Sequence, residues 1–215
     1  MINNFFKITI IVLILFYSSA ARSIEEFNFN VKEIEITDNG NIFKGLNRGT
    51  ITTDEGIILE ADNFIYNKDL NILNASGNVK ITDKINKYII TSKKITYLKK
   101  QNIILSEEKS NAFSEGDNIN IEAEIFEYHK SLNKIFAEKN VVIDDKDNNN
   151  QIFSNKITYF KNEEKFITEG KTRVLIEKKY DFNSEDVVFL KKENLLSSKK
   201  NTTIFDNKSQ FYKLS

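Results

Sequence analysis

The chain has 215 residues, 40% hydrophobic and 29% charged, and its 31 Lys+Arg balance 31 Asp+Glu to a formal charge of zero. That is the composition of a folded soluble chain rather than a disordered one, and it lacks the basic excess of a duplex nucleic-acid binder. There is no Cys, Pro or Trp and a single His, which excludes a disulfide framework, thiolate metal sites and most His-based catalysis.

The first residues read as an export signal. Met1 to Lys7 is a short start with one positive side chain, Ile8 to Tyr17 is an apolar run, and Ser18, Ser19, Ala20 and Ala21 are small. This order is that of a secretory signal. The run is shorter than the roughly 20 residues of a membrane span, which makes an uncleaved anchor the weaker alternative. Residues 1–23 are therefore read as a signal peptide, with cleavage after Ala21 or Ser23, and residues 24–215 as one exported domain. Without Cys there is no lipoprotein site.

Before the clear repeats, Phe29 to Thr53 reads as a divergent first unit, and Glu25 to Asn30 as a leading strand or arm. VKEIEITDNGNIFKG alternates and then reaches Asp38-Asn39-Gly40, a hairpin signal.

Clear repeats follow over 57–205. Tyr66, Tyr97, Tyr128 and Tyr159 stand 31 residues apart, and Phe189 follows. Five residues before each aromatic lies a small residue: Ala61, Ser92, Ala123, Ser154, Ser184. Two before lies a large apolar one: Phe64, Ile95, Phe126, Ile157, Val187. Seven after come Leu73, Ile104, Ile135, Phe166 and Leu196. Nine after comes a second small column: Ala75, Ser106, Ala137, Thr168, Ser198. Fifteen after come Ile81, Ala112, Ile143, Val174 and Ile204. Such a period marks a repeat architecture. Alternate copies match best: ILEADNFIYNKDLNIL resembles INIEAEIFEYHKSLNKI at a shift of 62, so two unlike halves make the full period.

Within a copy the period is 2. Leu73, Ala75, Val79 and Ile81 share one parity and polar residues take the other, as in a strand with one dry face. Leu59 and Ala61 are out of step with Phe64 and Tyr66, which a β-bulge between them reconciles. Asn67-Lys68-Asp69 and Ser76-Gly77-Asn78 are turn-type sequences. The expected fold class is all-β, with antiparallel strands stacked from repeats of about 31 residues. The end, SQFYKLS, stops at Ser215 inside an expected strand.

Motifs for chemistry are missing. There is no Gly-x-Ser-x-Gly elbow, phosphate loop or Gly-x-Gly-x-x-Gly. His129 matches Asn67 at a shift of 62 and is expected at an exposed turn. A Ca²⁺ loop starting at Asp145 would need Gly at 150 and Glu at 156; Asn150 and Lys156 stand there, so Asp144 to Asn150 is read as a polar loop. The aromatic column could stack bases or sugars, but as a repeat column it is better read as core with phenolic ends reaching a rim. No catalytic residue, metal or cofactor is assigned.

The phrase small–x–x–Phe–x–Tyr–…–Leu–x–Ala–x–Gly–x–Val–x–Ile is fullest in ADNFIYNKDLNILNASGNVKI (61–81) and next in AEIFEYHKSLNKIFAEKNVVI (123–143). It resembles the OstA-like family of lipopolysaccharide-transport proteins, the domain of LptA and of the N-terminal part of LptD, over roughly 33–204. Gly77 departs to Glu108, Lys139 and Lys200 in other copies. The resemblance implies an open β-jellyroll, V-shaped in section, that holds the acyl chains of lipopolysaccharide in an apolar lumen. It also implies partners: other jellyroll proteins of a bridge to the outer membrane, joined by edge-strand pairing. By parity and repeat position the expected lipid groove is lined by Leu59, Ala61, Phe64, Tyr66, Leu73, Ala75, Val79, Ile81, Ile95, Tyr97 and Ile104. Its second half is Ala123, Phe126, Tyr128, Ile135, Ala137, Val141, Ile143, Ile157, Tyr159, Phe166 and Val174. The small columns are expected to leave room for lipid, and Lys130 is expected on the surface. The end at Ser215 favours the N-terminal part of an LptD-like chain; a free-standing LptA-like protein is the runner-up. A structural or adhesive β-solenoid with a filled core is the reading from another class.

Overall fold

The computed structural model describes residues 27–206 and the backbone of 211–214. The signal peptide with its cleavage at Ala21 or Ser23, and the first two residues of the expected arm, lie outside the described residues.

The chain is one antiparallel meander. It opens with the hairpin β1 (Asn28–Thr37) and β2 (Ile42–Thr52), turned at Asp38–Gly40 as the Asn-Gly pair predicts. Next come β3 (Ile57–Ala61), β4 (Asn63–Asn67), β5 (Ile72–Asp83), β6 (Tyr88–Leu98), β7 (Ile103–Ser106) and β8 (Ser110–Ser114). β9 (Ile119–Ala123), β10 (Ile125–His129), β11 (Lys134–Asp145), β12 (Asn150–Phe160) and β13 (Lys165–Ile176) continue it. β14 (Tyr180–Glu185), β15 (Val188–Leu190), β16 (Leu195–Ser197), β17 (Thr202–Asp206) and β18 (Phe211–Leu214) complete a single 18-stranded sheet. The all-β expectation holds.

The short strands are halves of longer lines. β3 and β4 both pair with β5, and β9 and β10 both pair with β11. Every line bends near its middle, at a bulge. The bulge expected between Ala61 and Phe64 is the break at Asp62. Ser76-Gly77-Asn78 is not a turn between strands. It is the bulge of β5, where the register against β6 slips between Ser76 and Val79. The reason lies in the backbone: Gly77 (φ +75°) and Asn78 (φ 47°) are left-handed, and the Asp62 amide donates to the Gly77 carbonyl. In the copy 62 residues on, Lys139 (φ 64°) and Asn140 (φ 53°) take the same conformation without glycine.

On the inner face, two ladders of apolar side chains run across the strands, one on each side of the bends. The first passes Phe43, Tyr66, Leu73, Tyr97, Ile104, Tyr128, Ile135, Tyr159, Phe166 and Phe189, each paired with the next. The second passes Ile51, Leu59, Ile81, Ile90, Ala112, Ile121, Ile143, Ile152, Val174 and Phe182. Cross-strand pairs of this kind stabilise a sheet by about 0.2–1 kcal/mol each, and each fully buried large side chain adds about 1.5–3 kcal/mol.

The turns alternate between two rims. One rim holds the turns near 38–41, 68–71, 99–102, 130–133, 161–164 and 191–194; the other holds those near 53–56, 84–87, 115–118 and 146–149. These rims stand at opposite ends of the strands, yet side chains bond from one to the other, as between Tyr159 and Asp117. The sheet is therefore rolled about its line of bends until its rims meet, with both ladders inside.

Candidate functional site

Every residue expected to line the groove is buried in one continuous core. Along the first ladder neighbouring rings touch: Tyr159 and Phe166 stack at 4.4 Å, and Phe166 and Phe189 at 5.9 Å.

The small columns have a different setting from the expected one. They line the bends. Ser92 and Ser106 share a hydrogen bond of 2.8 Å, and Ser106 donates to the Lys94 carbonyl. Thr172 donates to Thr168 at 2.6 Å, and Thr168 accepts from the Val187 amide. Where the small residue is Ala61 or Ala123, an adjacent acid serves instead: Asp62 accepts from Arg48 and Asn78, and Glu124 from Asn140. A side chain at a bend must be small because both walls converge there, and bulge backbone groups left out of the ladder need partners. This alternation of hydroxyl and acid bends is one physical reason for the 62-residue period.

The feature that the repeat columns did not reveal is the seam where the rims meet. The first-rim turn places a lysine two residues after each aromatic: Lys68, Lys99, Lys130, Lys161, Lys191. The backbone fixes them, since each amide donates to a carbonyl of the preceding turn, as Lys130 does to Asn102 and Lys161 to Asn133. Four of these side chains are nearly covered, at 11%, 10%, 13% and 7% exposure for Lys99, Lys130, Lys161 and Lys191. Lysine is rarely buried unless paired, and these are paired with the opposite rim. Lys99 Nζ lies 2.7 Å and Lys130 Nζ 3.5 Å from the Glu55 carboxylate. Lys161 Nζ lies 3.2 Å from Asp117 and also meets Ser114. Lys191 Nζ reaches Asp145 at 3.2 Å, Asp147 at 2.9 Å and the Asp117 carbonyl at 2.9 Å. Lys130, expected on the surface, belongs to this seam. The signal was a third residue type at the same 31-residue step.

The phenolic ends do reach this rim. Tyr128 donates to Asp83 at 2.9 Å and accepts from Asn86 at 2.9 Å. Tyr159 donates to Asp117 at 2.7 Å. Asp83 and Asp145, 62 residues apart, are both buried and both accept from the Asn three residues on, Asn86 and Asn148. Between them the arrangement inverts, with Ser114 donating to Asp117. The seam thus carries the 62-residue period as well. At its centre the Tyr88 hydroxyl is buried beside Ser114, under the Lys161 ammonium at 4.3 Å from its ring.

Ionisation follows this geometry. Burial pushes the Asp117 carboxyl up, but hydrogen bonds from Ser114 and Tyr159 and the Lys161 charge outweigh it and hold it low. The Lys99 hydrogen bond is the main cause that holds Glu55 low. Burial works against charge on Lys191, yet Asp147 and Asp145 keep its ammonium stable to higher pH than usual. Burial first, then neighbouring Asp83, raises the Tyr128 phenol far above its ordinary range.

His129 ends β10 rather than lying in an exposed turn. It is half-buried, its ring meets Phe136 edge-on, and its Nε2 contacts Glu127. Asp144 and Asp145 close β11, so the expected loop is the shorter turn after them. On the outer face the bends form two concavities of about 630 and 570 Å³, the first bordered by Phe153 and Arg173, the second by Lys80 and Lys93. Among the described residues no group of three His, Cys, Asp or Glu is placed to hold a metal, and no helix is long and apolar enough to cross a membrane.

No protein-family profile and no curated protein matches the chain. Among solved structures it is similar to LptH, the LptA-homologous periplasmic component of the conserved lipopolysaccharide transport device from Pseudomonas aeruginosa. Identity is 10% over 66% of this chain and 81% of that one, with a TM-score of 0.28. It is also similar to the wild-type TCP10 domain of Danio rerio CPAP and a point mutant of it, at 7% identity over 85% of this chain and 99% of those, with a TM-score of 0.22. Likenesses at this level do not place the chain in a family.

Proposed function

We propose that the protein is an exported, non-enzymatic carrier of lipopolysaccharide, whose acyl chains lie between the two walls of the roll. The observation that carries this reading is the pair of unbroken apolar ladders along the whole stack. Each acyl methylene buried is worth about 0.8 kcal/mol, so several long chains need a long continuous apolar surface. Apolar contact is non-directional, so a chain can slide from one 31-residue unit to the next. The reading takes the groove residues from Leu59 to Val174 as the lipid contacts. It takes the edge strands β1 and β18 as the places where similar jellyrolls join by β-augmentation, in the periplasm, to deliver lipid to the outer membrane. An LptD-like N-terminal part and an LptA-like protein serve equally in it.

The test is mass spectrometry of the mature chain purified without detergent from a lipopolysaccharide-producing bacterium. Co-purified lipopolysaccharide is expected. A protein that emerges bare, and stays bare on incubation with lipopolysaccharide, favours the second reading, a structural solenoid. The tight burial of the core side chains on one another is what supports that alternative.

A further inference from the structure

The roll has two long sides that differ in kind. Along the bends the walls are joined by continuous strands and their backbone ladders. Along the seam, among the described residues, they are joined through side chains and not through strand ladders, from Glu55 to Lys191. Parting the seam breaks no ladder bond, whereas parting the bends breaks every strand line. The Tyr88 hydroxyl is buried at this seam beside Ser114, which already bonds Asp117 and Lys161.

The first rim has a further property. Its lysines recur every two strands, about 10 Å apart, directly above the apolar ladder that holds Tyr97, Tyr128 and Tyr159. Such a row suits a molecule with acyl chains below and several anionic groups above. The opposite rim already supplies anions to it: Glu55 holds Lys99 and Lys130, Asp117 holds Lys161, and Asp145 and Asp147 hold Lys191.

We infer that the seam is the gate of the roll and that its carboxylates are internal stand-ins for an anionic amphiphile, which takes over Lys99, Lys130, Lys161 and Lys191 when the rims part. The inference rests on the carrier reading and extends it to the ligand's way in and its headgroup contacts. Exchange of one carboxylate for one anionic headgroup keeps each ammonium paired, so opening costs little once the acyl chains are buried. An amphiphile with no net charge leaves the lysines unpaired beside an apolar surface and is disfavoured.

The chain has no native cysteine, so an introduced pair is unambiguous. Asn150 and Asn194 bond across the seam at 3.2 Å, and Asn86 reaches the Lys130 carbonyl at 3.5 Å. N150C/N194C, and separately N86C/K130C, are to be closed with a thiol-cleavable bis-maleimide. Each is then incubated with vesicles of dioleoyl phosphatidylglycerol or dioleoyl phosphatidylcholine, and extracted lipid is counted by mass spectrometry. Locked protein is expected to take up about tenfold less phosphatidylglycerol than the same variant after cleavage of the link. Unlocked protein is expected to prefer phosphatidylglycerol over phosphatidylcholine. K99Q/K130Q/K161Q is expected to lose that preference. E55Q/D117N, which frees the same lysines, is expected to raise phosphatidylglycerol uptake, a gain that misfolding does not mimic. Equal uptake by locked and cleaved protein overturns the gate and leaves the carrier reading standing. An unchanged preference in K99Q/K130Q/K161Q and no gain in E55Q/D117N overturns the lysine row. No uptake by any form, unmodified chain included, overturns the inference together with the carrier reading.

Discussion

Lys191→Met is a direct probe of how the roll is held shut. The side chain is 7% exposed and makes contacts of 3.2 Å to Asp145, 2.9 Å to Asp147 and 2.9 Å to the Asp117 carbonyl. Met fills similar space, so the substitution removes charge and hydrogen bonds while leaving little cavity. Asp145 is then left as a buried carboxylate without its cation. Breaking a buried pair in this way costs about 3–5 kcal/mol. Asp145 keeps bonds from the Asn148 amide and Asn148 Nδ2, which places the loss near the lower end, about 3 kcal/mol. An exposed pair would lose only about 0–1 kcal/mol. The assay is urea denaturation at pH 7 followed by circular dichroism in the β region. K191M/D145L, which removes both charges, is expected to recover most of the loss, because an apolar pair of similar volume is often neutral against a buried ion pair. A K191M loss below about 1 kcal/mol, or a double variant worse than the single, would refute the reasoning that the seam is a buried ionic contact.

Other consequences are as specific. Gly77→Ala forces a left-handed alanine whose Cβ would lie 2.6 Å from Asp62 Oδ2, while Gly170, at φ +77°, has nothing within 4 Å. Gly77→Ala is therefore expected to cost about 1 kcal/mol more than Gly170→Ala in the same urea assay. Ile143→Ala, in the middle of the second ladder, is expected to cost about 2–5 kcal/mol with retained fold. The seam also sets a pH dependence. Asp117 and Glu55 titrate below their ordinary values of 3.8 and 4.5, so their contribution is full above those values and is lost as pH falls through the lower folded ones. Lys191 titrates above 10.5, so its contribution is full below that pH and is lost as pH rises beyond it. The Tyr128 phenol, raised above its ordinary 10.0, adds a loss of stability from that pH upward. Thermal melts are therefore expected to be flat between 4.5 and 10 and to fall on either side; a maximum near neutrality with slopes within that window would contradict the assignment.

Much of this architecture was legible in the chain, and the misses have physical reasons. Period-2 patterning identified the strands, and the aromatic column with its partner seven residues later turned out to be one cross-strand ladder, Tyr66 beside Leu73 and Tyr128 beside Ile135. The parity slip at Asp62 was readable because a bulge changes which residues face inward. Ser76-Gly77-Asn78 misled because turn residues and bulge residues share one need, a left-handed backbone. The small columns misled because small side chains serve a bend as well as a cavity, and only the third dimension shows Ser92 against Ser106. The seam was hidden for another reason. Its partners are some 44 residues apart on opposite rims, so no local pattern links Glu55 to Lys99, although the lysine two residues after each aromatic was in plain view.

The central claim is that the inner face of the roll, and not its outside, meets the acyl chains. Phe126 and Glu127 are neighbours in β10 with opposite faces, Phe126 buried in the core and Glu127 outward. A photo-crosslinking side chain placed at each in turn, in cells that make lipopolysaccharide, and a blot for lipid-linked protein compare the two faces directly. Adducts at 126 and none at 127 are the predicted result. Adducts at both positions, or at 127 alone, would contradict it.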